Sequence, residues 1–112
     1  MTNYTVVLLH LQAMRDLLAA GWIQGNYAMT EGGFSCNPSS AHACKFCMEG
    51  ARQRVESQLT LVADRSTPLR RIIEGVIGNT SLAMWNDKKE RTHEEVLIAM
   101  DKAIEACQGL IA

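Results

Sequence analysis

Val7, Leu11, Met14 and Leu18 recur at the i, i+4, i+7 and i+11 positions of one helical face, with Gln12, Arg15 and Asp16 on the polar side. This pattern predicts a first helix over residues 3–20, closed by Gly21 as the residue that enters a left-handed C′ conformation without steric cost. From Tyr27 to Cys36 the alternation is loose and centres on Glu31-Gly32-Gly33, a turn signal for a short hairpin or an extended loop.

Asn37-Pro38-Ser39-Ser40 offers capping oxygens and a proline, and Ala43, Cys47, Ala51 and Val55 then follow at intervals of four. A second helix is predicted from about residue 40 to residue 59 or beyond. Gly50 inside it costs about 1 kcal/mol relative to alanine, which the close approach of another helix would offset. Thr67-Pro68 reads as an N-cap with proline at N1, and Leu69, Ile72, Ile73, Val76 and Ile77 form the buried stripe of a third helix ending at Gly78-Asn79. Residues 80–84 suit a short helical turn. Thr92-His93-Glu94-Glu95 is a capping box opening a last helix, with Leu97, Met100, Ile104 and Cys107 as its stripe and Gly109 at its end. The expected fold is mainly α: a compact four-helix single domain over residues 1–112, with a small hairpin or irregular insertion between helices 1 and 2.

At 112 residues and 12.4 kDa, with 47% apolar and 21% charged residues, the composition is that of one globular domain. The formal charge of −1 provides no net field toward nucleic acid or anionic lipid. Arg52, Arg54, Arg65, Arg70 and Arg71 are interleaved with Glu56, Asp64 and Glu74, which suits a solvated face better than a nucleic-acid surface. The apolar run Val6 to Leu9 is far short of a membrane span, and the amino end lacks a basic leader region, so a cytoplasmic location without membrane partners is expected.

In that reducing compartment Cys36, Cys44, Cys47 and Cys107 are expected as free thiols. The expected cofactor set is empty. The alternative is a structural zinc held by Cys36, His42, Cys44 and Cys47, four potential ligands within twelve residues but without a second paired cluster. Small apolar core positions are the ordinary place for such cysteines.

Three segments carry a resemblance that runs in order along nearly the whole chain. They are Gly21-Trp22-Ile23-Gln24-Gly25-Asn26-Tyr27-Ala28, then Phe46-Cys47-Met48-Glu49-Gly50-Ala51, then Trp85-Asn86-Asp87 with Arg91-Thr92-His93-Glu94-Glu95-Val96-Leu97. Together they resemble a family of small bacterial and phage proteins described only as a domain of unknown function. The resemblance implies no activity. The Phe46 position is often tryptophan in that family, and Cys36 and Cys44 lie outside its signature, so a zinc site built on them would be peculiar to this chain.

These segments are polar, tryptophan-bearing connections beside helix ends, where binding groups are usually displayed. The candidate binding surface is Trp22, Gln24, Tyr27, Trp85, Asn86, Asp87 and Arg91: indoles for stacking, the Gln24 and Asn86 amides for paired hydrogen bonds, Arg91 for a carboxylate or phosphate. The competing reading has Trp22 and Trp85 plugging the bundle ends and Asp87 pairing with Arg91. No catalytic residue is assigned. His93, at N1 of a helix, reads as solvated rather than as a general base with Asp87, and Glu94 and Glu95 are explained by the helix dipole and the capping box. The expected function is a non-enzymatic interaction module with a protein partner. The family's phage association suggests an accessory protein acting on a host protein. A small-ligand binder or minor enzyme on the same surface, and a zinc-stapled domain, are the alternatives, and a homodimer is a further expected assembly.

Overall fold

A computed structural model describes residues 2–58 and 67–111. In chain order the elements are α1 (Tyr4–Ala20), β1 (Ala28–Thr30), β2 (Ala43–Phe46), α2 (Met48–Gln58), α3 (Thr67–Val76), α4 (Leu82–Asn86) and α5 (His93–Gln108). The described residues thus hold five helices and a two-stranded antiparallel hairpin, rather than four helices.

α1 forms as its periodicity dictates. The Asn3 side chain accepts from the amides of Thr5 and Val6, and Val7, Leu11, Met14 and Leu18 are all buried. α1 packs against α5, α2, α3 and β2, so its apolar face is the centre of the core. α5 opens with the expected capping box, Thr92 accepting from the Glu95 amide and Glu95 from the Thr92 amide. Its buried face is turned from the expected one: Val96, Ala99, Met100, Ala103 and Cys107 are buried, whereas Leu97 and Ile104 lie at the margin. Alanines at the centre let the α1 and α5 backbones approach, and the larger side chains seal the edge.

α3 keeps its expected stripe, with Leu69, Ile73 and Ile77 buried and Ile72 and Val76 packed beside them. It closes in a Schellman-type turn: Gly78 has φ +93 and the Asn79 amide donates to Glu74 O at 2.7 Å. Capping by the Thr67 side chain and the end of the second predicted helix at residue 59 fall outside the described residues.

The second predicted helix begins too early. Residues 43–46 form β2, paired with β1 in the register Ala28↔Phe46, Met29↔Lys45 and Thr30↔Ala43, with an irregularity between Met29 and Thr30. Asn37 Oδ1 accepts from the Ser39 amide and Ser40 Oγ from the His42 amide, so both oxygens build turns instead of capping a helix. The guanidinium of Arg54 donates to the carbonyls of Pro38 and Ser40 and fixes this loop onto α2. The Glu31-Gly32-Gly33 turn is present, with Gly33 at φ +88 and an isolated bridge between Met29 and Ser35.

Two glycines owe their place to close approach. Gly21 is extended, φ −172, rather than left-handed, and a Cβ there would stand 2.5 Å from Cys44 O. A Cβ on Gly50 would stand 1.8 Å from Tyr27 O, so the backbone entering β1, not another helix, crosses α2 at this point. These contacts hold residues 21–27 against β2 and the start of α2.

Candidate functional site

Asn86 ends α4, is fully buried and uses both ends of its amide. Its Oδ1 accepts from Trp22 Nε1 at 2.7 Å and from the Met48 amide at 3.0 Å, while its Nδ2 donates to Ile23 O at 3.1 Å and to Asp87 Oδ1 at 2.9 Å. The four bonds fill the capacity of a carboxamide. Around it, Gln24 Nε2 donates to the carbonyls of Asn86 and Lys88, and the Gly25 amide donates to Asp87 Oδ1 at 3.0 Å. Residues 22–25, the first turn of α2 and residues 86–88 are therefore one hydrogen-bonded lock.

The aromatic side chains frame this lock. Trp22 is half-buried and stacks on His93, ring centroids 5.8 Å apart and planes 15° apart. His93 Nε2 lies 2.6 Å from Leu18 O, and because a carbonyl only accepts, that nitrogen carries the proton. His93 thus joins the end of α1 to the start of α5 rather than standing in solvent. Arg91 lies over the Trp85 ring at 3.6 Å, donates Nε to Trp85 O at 2.9 Å and pairs with Glu95. Its guanidinium is engaged inside the chain, and its partners are Trp85 and Glu95 instead of Asp87. The hydrogen bond from the Thr92 amide, with help from Arg91, holds the Glu95 carboxyl below its usual range.

All seven sequence-predicted residues are thus joined in one neighbourhood, but they divide by role. Trp22, Gln24, Asn86 and Arg91 use side-chain polar groups in bonds within the chain, and the ring face of Trp85 is taken by Arg91. Tyr27 and Asp87 are exposed and line a half-open hollow of about 400 Å³ together with Asn26, Ser35, Cys36 and Cys47. Sequence reasoning missed Asn26 and Ser35 here. The turn at Gly32-Gly33, which folds Ser35 back beside Met29, is the signal that could have found the second of them. Burial pushes the Cys47 thiol up, and the Asp87 and Glu49 charges add to the rise. Cys47 also accepts from the Gly50 amide at 3.3 Å, so it is a packed thiol and no poised nucleophile.

The four potential zinc ligands do not converge. Cys36 and Cys47 line this hollow, whereas His42 and Cys44 line a second one beside the hairpin turn, with Glu31. Among the described residues no group of three or more His, Cys, Asp or Glu is placed to hold a metal ion. Cys44 is in a strand and Cys47 precedes α2, so the two do not lie within the second helix as its predicted start at residue 40 implies. No helix of the described residues is long and apolar enough to cross a membrane.

No curated protein and no solved structure matches the chain. A family model does, over residues 2–106, which takes in every element of the lock and the hollow. The chain belongs to the family of unknown function DUF6197.

Proposed function

We propose that this protein is a non-enzymatic interaction module that engages another protein at the hollow beside the Asn86 lock. The observation that carries this reading is the placement of exposed apolar surface. Tyr27 lines the hollow and is 53% exposed, Phe34 at 74% precedes the lining residue Ser35, and Met84 at 72% follows the lining residue Ala83. A large apolar side chain left in water at a concavity, with two more beside its lining residues in sequence, marks a surface that is covered in use. The lock beneath holds the surrounding backbone in place, which reduces the ordering cost of association.

A phage or prophage setting, as the family resemblance suggests, makes the partner a host protein met in the cytoplasm. A second copy of this chain is tested first, by sedimentation at several concentrations. A small-molecule ligand is the second reading, favoured by a volume within the roughly 300–1,000 Å³ of ordinary ligand clefts.

The test is retention of a partner from a cell extract by the wild type, Tyr27→Glu, Met84→Glu and Leu9→Glu. Leu9 is exposed on α1 and serves as the control. Loss with the first two variants and retention with the third is the expected result. Equal loss in all three, or a small molecule that raises the melting temperature while no protein is retained, overturns the reading.

A further inference from the structure

We propose that the hollow receives the guanidinium of an arginine side chain carried by the partner protein, with Asp87 as counter-ion and Tyr27 as the stacking face. This rests on the interaction reading above and names the chemistry of the contact.

Charge complementarity is the first argument. Of the residues lining the hollow, Asp87 bears the formal charge and none is Lys, Arg or His. The carboxylate is fixed before any ligand arrives: Oδ1 accepts from the Gly25 amide and from Asn86 Nδ2, and no hydrogen bond engages Oδ2 among the described residues. Its field reaches the floor, since the Asp87 charge contributes to the rise in the Cys47 thiol. A site with a fixed anion and no cation favours a positively charged group.

Shape and donor count select guanidinium over ammonium. The hollow is wide for a single ammonium, and the exposed Tyr27 ring offers a flat face to a planar cation. Asn26 and Ser35 add neutral acceptors for the N–H groups that Asp87 Oδ2 does not take. The molecule uses the same pairing internally, where Arg91 lies over the Trp85 ring and donates to its carbonyl.

The probes are a short acetylated and amidated peptide with one central arginine and neutral flanks, its citrulline counterpart, and free arginine amide. Amide resonances of Gly25, Tyr27 and Cys36 report on the hollow. The arginine peptide is expected to shift them, and the citrulline peptide to bind about fivefold more weakly, the loss of one partly exposed ion pair. Asp87→Asn keeps the Oδ1 acceptor for Gly25 and Asn86, and is expected to weaken the arginine peptide by a similar factor without affecting the citrulline one. Tyr27→Leu, which leaves the Asn86 lock untouched, weakens the arginine peptide as well.

Equal binding of the two peptides overturns the inference and leaves the interaction reading standing, because the hollow then takes an uncharged side chain. Free arginine amide binding as tightly as the peptide overturns the protein-borne source. The absence of any shift also overturns the inference, while the retention experiment with Tyr27→Glu and Met84→Glu decides the interaction reading separately.

Discussion

The indole N–H of Trp22 donates to the side-chain oxygen of Asn86 at 2.7 Å, across 64 positions of sequence. The bond joins the end of α1 to the end of α4, and the same oxygen receives the Met48 amide at the start of α2. Three segments are held through one buried carboxamide.

Asn86→Ala therefore strands the Trp22 and Met48 donors and the Ile23 acceptor. Unfolding monitored in denaturant is expected to show a loss of about 3 kcal/mol. Trp22→Phe keeps the stacking on His93, leaves Asn86 bonded to Met48, and is expected to cost about 1 kcal/mol.

Gly50→Ala and Gly75→Ala have opposite signs. Alanine is the better helix former by about 1 kcal/mol, and at Gly75 in α3 a Cβ meets nothing within 4 Å, so the midpoint rises. At Gly50 the same methyl would collide with Tyr27 O, and the midpoint falls despite the propensity gain. Equal effects at the two sites would show that the β1 entry does not cross α2 as described.

Arg91→Lys keeps the charge but loses the planar stack on Trp85 and the geometry of the bond to its carbonyl. A loss of about 1 kcal/mol is expected, together with a change in Trp85 fluorescence.

Acid weakens the start of α5. The Glu95 carboxyl sits below its ordinary 4.5 in the folded chain, so its contribution is present above that value and is lost as pH falls through the lower folded one. The variant Glu95→Gln, which still accepts from the Thr92 amide, is expected to flatten this part of the pH–stability profile.

Treatment with a chelator is expected to leave the melting temperature unchanged, because the four candidate ligands are divided between two hollows. A fall on chelation, reversed by zinc, would restore the metal-stapled reading.

What the sequence makes legible is local. The faces of α1 and α3 follow from 3.6-residue periodicity, and the start of α5 from a capping box whose partners are three residues apart. The orientation of α5 is misjudged where large side chains are counted as core, because Ala99 and Ala103 let the helices approach while Leu97 and Ile104 seal the edge. β2 is hidden because Ala43 and Cys47 continue the four-residue spacing of α2 backward, and the strand exists by pairing with β1 across a long loop. The gathering of Trp22, Gln24, Asn86 and Asp87 is foreshadowed by their common position in polar connections. Their roles are not, since whether a carboxamide faces a ligand or a distant backbone is decided by tertiary contacts such as Met48 N and Ile23 O.

The span of the Asn86 contacts also orders events during synthesis. A nascent chain that has left the ribosome with α1, the hairpin and α2 has no acceptor for the Trp22 indole and no carbonyl at position 88 for Gln24. Those groups stay hydrated until α4 emerges, so the amino-terminal half is expected to mature only after residue 88 has left the ribosomal exit tunnel. Ribosome-bound chains in which residue 88 is still inside the tunnel should be cleaved by protease within residues 21–27, and chains carrying a carboxy-terminal extension that brings residue 88 outside it should be protected.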